Sequence, residues 1–197
     1  MMHKINHVEV IDAGIAAKRP YTEVVRKVFL TYPTHAFIGE EESQYKILNE
    51  VALFFDVQIT SVQVTGSAKV GQSTFKKTSF VPGVSDLDLS VIDTYLFSRY
   101  QGIVLNITDG YKDLSKFKES NYLRQYQKYL AKGIFRPDLM PSCTQRADWF
   151  SFFGNLEVKH RQLFKSISAN VCLSQCAFEW KQQSAIRNRA ESEVVYD

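Results

Sequence analysis

From Asp86 to Val91 the chain alternates strictly between polar and apolar residues: Asp86, Leu87, Asp88, Leu89, Ser90, Val91. A period of two is the signature of a β-strand, because successive side chains point to opposite faces. One face, Leu87, Leu89 and Val91, must be buried. The other carries two carboxylates about 6.6 Å apart along the strand. Held about 4 Å apart at an effective dielectric near 20, two such charges would repel by roughly 4 kcal/mol before relaxation. A fold that keeps them together needs a cation between them.

The surrounding pattern sets the fold class. Pro20 precedes apolar residues at helical spacing, Tyr21, Val24, Val25, Val28 and Phe29, and Pro33 ends that helix. Glu40, Glu41 and Glu42 place negative charge at the start of a second helix, with Tyr45, Leu48, Ala52 and Phe55 on one stripe. The period then changes: Thr60, Val62 and Val64 share one face of a strand over Gln58–Val64, and Gly66 breaks it. After the 86–91 strand a long helical region follows. Asp113 is read as the N-cap of a helix carrying Phe117, Leu123, Tyr126 and Leu130, stopped by Gly133. Further expectations are a helix over Asp148–Ser166, a short strand over Ser168–Leu173 and a closing helix over Ala177–Arg189. The first twenty residues are weakly patterned. This order is α+β, a small mixed sheet packed against helices from both ends, and not a regular βαβ alternation. A length of 197 residues favours one domain spanning 1–197, with helical portions at about 20–56 and about 111–190.

Bulk properties exclude little. Hydrophobic residues make up 45% and aromatics 13%, so most of the chain should be ordered. A net charge of +3 is too small to argue for nucleic acid by itself. Three cysteines make a poor disulfide framework and fit a reducing compartment. Cys172 and Cys176 lack a second pair and no histidine stands near them in sequence, so zinc is not expected. The opening residues lack an apolar core for a signal peptide, and no apolar run approaches bilayer length. The expectation is a cytoplasmic protein with no membrane partner.

The segment Val64-Thr65-Gly66-Ser67-Ala68-Lys69 followed by Ser85-Asp86-Leu87-Asp88-Leu89 resembles the motif of the DNA polymerase β-like nucleotidyltransferase superfamily. There a strand ends in Gly-Ser, a short helical element follows, and a second strand carries Asp-x-Asp. The resemblance covers Gln58 to Asp93, roughly a fifth of the chain, and selects no subfamily. It implies a nucleotidyltransferase-type sheet and metal-dependent transfer of a nucleoside monophosphate from a nucleoside triphosphate. The acceptor would be RNA, a protein, a nucleotide or a small molecule. Small stand-alone members occur in bacterial defence and toxin–antitoxin settings, a context this likeness extends to the chain by analogy only.

Each residue type has a physical reason. Gly66 lets the backbone approach a phosphate, Ser67 adds a hydroxyl donor, and amide groups at a helix start face an anion. Asp86 and Asp88 would hold two divalent ions about 3.5–4 Å apart, Mg2+ or Mn2+, whose hard character suits carboxylate and phosphate oxygens; one would activate the attacking hydroxyl and the other would hold the triphosphate and stabilise the leaving pyrophosphate. Lys69 is the candidate cation for phosphate; Lys76 and Lys77 lie on an inserted loop, Thr74–Gly83, for which a solvated basic loop is an equal reading.

One departure matters. The family usually has a third carboxylate on a later strand, and Ser168–Leu173 contains no acid. Glu179, Glu157 and Asp148 are the candidates. Without one, the alternative is a catalytically degenerate domain that binds a nucleotide or a protein. A P-loop reading of Gly66–Ser73 fails because Gln72 occupies the position of the phosphate-binding lysine. The aromatic run Trp149, Phe150, Phe152 and Phe153 reads as helix packing before base stacking. Arg124, Lys128 and Lys132 read as a solvated helix face before a nucleic-acid ridge.

Overall fold

A computed structural model describes residues 6–74 and 76–194. Its centre is a four-stranded mixed sheet of β1 (Val62–Thr65), β2 (Leu87–Ile92), β3 (Ile134–Phe135) and β4 (Ile167–Cys172), in the spatial order β1-β2-β4-β3. β1 runs antiparallel to β2, β2 parallel to β4, and β3 antiparallel to β4. The fold is therefore α+β with a mixed sheet, as the alternation of periods implied.

The sheet is covered on both faces. Leu87, Leu89 and Val91 of β2 and Val62 and Val64 of β1 are nearly inaccessible. They pack with α3 (Glu41–Phe55), α5 (Thr94–Ile107) and α7 (Thr144–Lys159) through Phe55, Tyr100, Val104, Trp149 and Phe153. A second core joins Cys172 and Ile134 to α1 (His7–Ala16), α2 (Tyr21–Val25) and α8 (Gln175–Val194), through Ile11, Val24, Val25, Val28, Phe29, Phe178 and Ile186. α6 (Ser120–Leu130) buries Tyr126 against Phe135 and Phe117.

Local chemistry explains most boundaries. Glu41 and Glu42 occupy the first turn of α3, and Asp56 ends it in the left-handed region at φ 57°. The Asp93 carboxylate accepts from the Leu96 N–H at 2.7 Å and caps α5. Asn6 does the same for α1, accepting from Val8 and Glu9.

Several expectations need correction. The helix after Pro20 relaxes into a wide π-type turn over Arg26–Thr31. The strand expected from Gln58 starts only at Val62, because Ile59–Ser61 form a 3-10 turn. Asp113 caps no helix: its Oδ1 accepts from the Ser115 N–H in a turn, and α6 begins at Ser120. α7 lies earlier than the expected 148–166 span, and α8 extends beyond both ends of Ala177–Arg189.

Candidate functional site

β1 ends at Thr65 and the chain turns at once into α4 (Gly66–Val70), so the Gly-Ser pair sits at the strand-to-helix junction. Thr65 lies opposite Asp88 in the β1–β2 register, and its hydroxyl donates to the Asp88 carbonyl at 3.2 Å. This brings two distant sequence features into contact. Gly66 has φ +65°, and a Cβ placed there would lie 2.8 Å from Asp88 Oδ2. No other residue type leaves that carboxylate its space or tolerates that backbone angle without strain. α4 has only five residues, so it adds little macrodipole. What it offers is the set of N–H groups that the first turn of a helix cannot satisfy internally.

Asp86 and Asp88 are both exposed; Asp88 lies on β2, whereas Asp86, expected on the same strand, immediately precedes its first residue, Leu87. β4 runs parallel to β2, in register from Leu87 onward. Ser166 Oγ donates to Asp86 Oδ1 at 2.7 Å, and Ser168 Oγ donates to Asp88 Oδ1 at 3.2 Å. Among the described residues neither aspartate makes an ion pair. Two unneutralised carboxylates held by neutral hydroxyl donors are a donor set that suits one hard divalent cation, completed by water or phosphate oxygens. Among the described residues no group of three or more His, Cys, Asp or Glu side chains is poised around a metal position.

The candidate third acids are placed elsewhere or occupied. Glu179 is committed to Arg26, with contacts of 2.7 and 3.2 Å, and to Gln175 at 2.8 Å; hydrogen bonding to Arg26 holds its pKa below the ordinary value. Glu157 accepts the Ile167 N–H at 3.0 Å, capping the free edge of β4. Asp148 is exposed on α7. On β4 the residue opposite Asp88 is Ser168, and the residue opposite Ser90 is Asn170.

A cavity of about 670 Å³ opens beside Asp88. Gly66, Asp88, Ser168, Asn170 and Glu157 line it together with Arg136 and Lys181. Ser67, next in the chain after Gly66, is half-buried on α4 and is not among the residues that line the cavity. Lys69 faces the other way. It is only 5% exposed and donates to the Tyr32 carbonyl at 2.7 Å, and burial pushes its pKa down to about 8. The cation facing Asp88 is instead Lys181, which the sequence reading missed. Its Nζ reaches over the sheet to Ser90 Oγ at 3.3 Å, and Ser90 Oγ in turn donates to Asn170 Oδ1 at 3.1 Å. Burial lowers the Lys181 pKa, opposed by the fields of Cys172 and Asp88. Arg136 is paired with Asp138 and lies over the Tyr129 ring at 4.8 Å.

The remaining sequence features sort cleanly. Trp149 and Phe153 are core, whereas Phe150 is 44% exposed and lines the cavity. Arg124, Lys128 and Lys132 stand exposed on and just after α6. Lys76 and Lys77 are exposed on the loop that follows α4. Among the described residues no helix is long and apolar enough to cross a membrane. Comparison with protein-family models, with curated proteins and with solved structures finds no match for this chain.

Proposed function

We propose that the chain is a metal-dependent nucleotidyltransferase of the polymerase β-like type, transferring a nucleoside monophosphate from a nucleoside triphosphate to a hydroxyl-bearing acceptor. The observation that carries this is the seating of Gly66 against Asp88, so close that a Cβ added at Gly66 would stand 2.8 Å from Asp88 Oδ2. It sets a phosphate-accepting turn against a carboxylate pair, the two halves that such a reaction needs in one place. A nucleotidyltransferase-type sheet is the reading of the fold that goes with it.

The residues divide the work. The amides at Gly66 and Ser67 and the Ser67 hydroxyl bind the triphosphate. Asp86 and Asp88 hold Mg2+ or Mn2+, which when bound neutralises phosphate charge and polarises the reacting oxygens. The acceptor oxygen attacks the α-phosphorus and the bond from that phosphorus to the β-phosphate oxygen breaks. Pyrophosphate leaves with the electron pair of that bond, and the acceptor proton passes to water in the cavity. Ser166 and Ser168 orient the two carboxylates. The cavity is large enough for a nucleotide and part of an acceptor.

A second reading is a degenerate domain that binds a nucleotide or a protein without turnover. Ser168 and Asn170, standing on β4 where an acid would complete the site, favour it. Incubation with each labelled triphosphate and Mg2+ or Mn2+ separates the two. Pyrophosphate release that disappears in Asp88→Ala supports transfer. Nucleotide binding with no release from any triphosphate supports the binding module.

A further inference from the structure

The positions of β4 that face the carboxylate strand carry a hydroxyl and an amide, Ser168 and Asn170, and a lysine from α8 stands over them. That lysine is not loosely placed. Ser90, its partner, is fully buried, and the Ser90 hydroxyl donates to Asn170 Oδ1, which leaves the Ser90 oxygen free to accept from Lys181. Asn170 is pinned in turn, because its Nδ2 donates to the Leu89 carbonyl at 3.0 Å. An ammonium has three donors. Of those, one is directed at Ser90, and Lys181 makes no ion pair among the described residues. A half-buried ammonium with donors to spare beside a cavity is a ready partner for an anion that enters it.

Charge counting gives this a specific meaning. Three carboxylates with two divalent cations sum to about +1. Two carboxylates, one ammonium and one divalent cation also sum to about +1. The electrostatic demand of a triphosphate is met equally by either set.

We infer that Lys181 takes the place of the second metal ion, so that the site works with one divalent cation, held by Asp86 and Asp88, and one fixed ammonium that contacts the polyphosphate directly. This inference rests on the nucleotidyl-transfer reading. It also explains why β4 lacks an acid: a carboxylate at Ser168 or Asn170 would pair with Lys181 and remove the charge the phosphate needs.

Equilibrium dialysis of the full chain with Mn2+ and inorganic tripolyphosphate tests it without knowledge of the base. The expected result is one Mn2+ bound per chain at saturating tripolyphosphate. Lys181→Met should weaken tripolyphosphate at least tenfold while Mn2+ measured alone binds as well or better; Lys181→Arg should restore most of the affinity. Two Mn2+ per chain, or unchanged tripolyphosphate affinity in Lys181→Met, overturns the inference and leaves the transfer reading standing. No tripolyphosphate binding by the unaltered chain overturns both. The Mn2+ count on the unaltered chain decides the matter even if Lys181→Met does not fold.

Discussion

Gly66→Ala is the substitution that probes the meeting of the two motifs most sharply. The residue sits at φ +65°, where an L side chain costs roughly 1–2 kcal/mol. The new Cβ would also stand 2.8 Å from Asp88 Oδ2, so the carboxylate must rotate away. For a chain of this size each kcal/mol moves the melting temperature by roughly 2–4 °C. The expected loss is therefore about 2–8 °C, plus the loss of any melting-temperature rise on adding Mg2+ or Mn2+ with a triphosphate. Gly102→Ala is the internal control. It lies within α5 with nothing within 4 Å of the added Cβ, so it should stabilise by roughly 0.5–1 kcal/mol. Differential scanning fluorimetry of both variants, with and without metal and nucleotide, reads the outcome. A Gly66→Ala protein as stable as its parent, with its metal response intact, would refute the claim that this glycine makes room for a working carboxylate.

Other consequences follow from neighbouring residues. Leu89→Ala empties a fully buried position and should cost about 2–5 kcal/mol by denaturant titration, whereas Asp88→Asn next to it should leave the metal-free melting temperature unchanged or higher while abolishing the metal-dependent rise. Lys69 has a folded pKa lowered from 10.5 to about 8, so the folded state binds fewer protons than the unfolded state between those values. Stability of the parent should rise with pH across that window by roughly 3 kcal/mol relative to Lys69→Met, and a pH-independent difference would contradict the burial argument. Glu179 has a depressed folded pKa, through Arg26 first, so its contribution is present above the ordinary glutamate range and lost as pH falls through the lower folded value. Glu179→Gln should remove part of the acid-side loss of stability seen in urea titrations at falling pH.

How far the sequence alone reached depends on which residues carried a period. β2 was legible because its apolar positions repeat cleanly, Leu87, Leu89 and Val91; α3 was legible as a helix, but of the expected stripe Tyr45, Leu48, Ala52 and Phe55 only Ala52 and Phe55 are buried, Tyr45 is exposed, and Ile47 and Val51 complete the packed face. α1 was not, because the positions it buries are His7, Ile11 and Gly14, two of which carry no hydrophobic signal. β3 has two residues and exists only because β4 offers it an edge. The same contrast holds at the site. Gly66, Ser67, Asp86 and Asp88 announce themselves by spacing. Lys181 and Arg136 arrive from distant elements, and only folding places them in the cavity with Asp88. One signal was available. On α8 the buried residues Phe178, Gln182, Ile186 and Arg189 follow helical spacing, and Lys181 adjoins that stripe. Polar residues on the packed face of a helix are where a search for partners should begin. Lys69 illustrates the opposite error: proximity in sequence to Ser67 suggested phosphate, yet one turn of α4 directs its ammonium to the Tyr32 carbonyl.

The most direct test of the central claim is a crystal grown with Mn2+ and a non-hydrolysable nucleoside triphosphate, with Mn2+ located by its anomalous scattering. The account predicts a single peak bridging Asp86 and Asp88, with phosphate oxygens at the Gly66–Ser67 amides and at Lys181 Nζ. A structure in which Mn2+ and triphosphate bind away from Asp86 and Asp88, or in which neither binds, would contradict it.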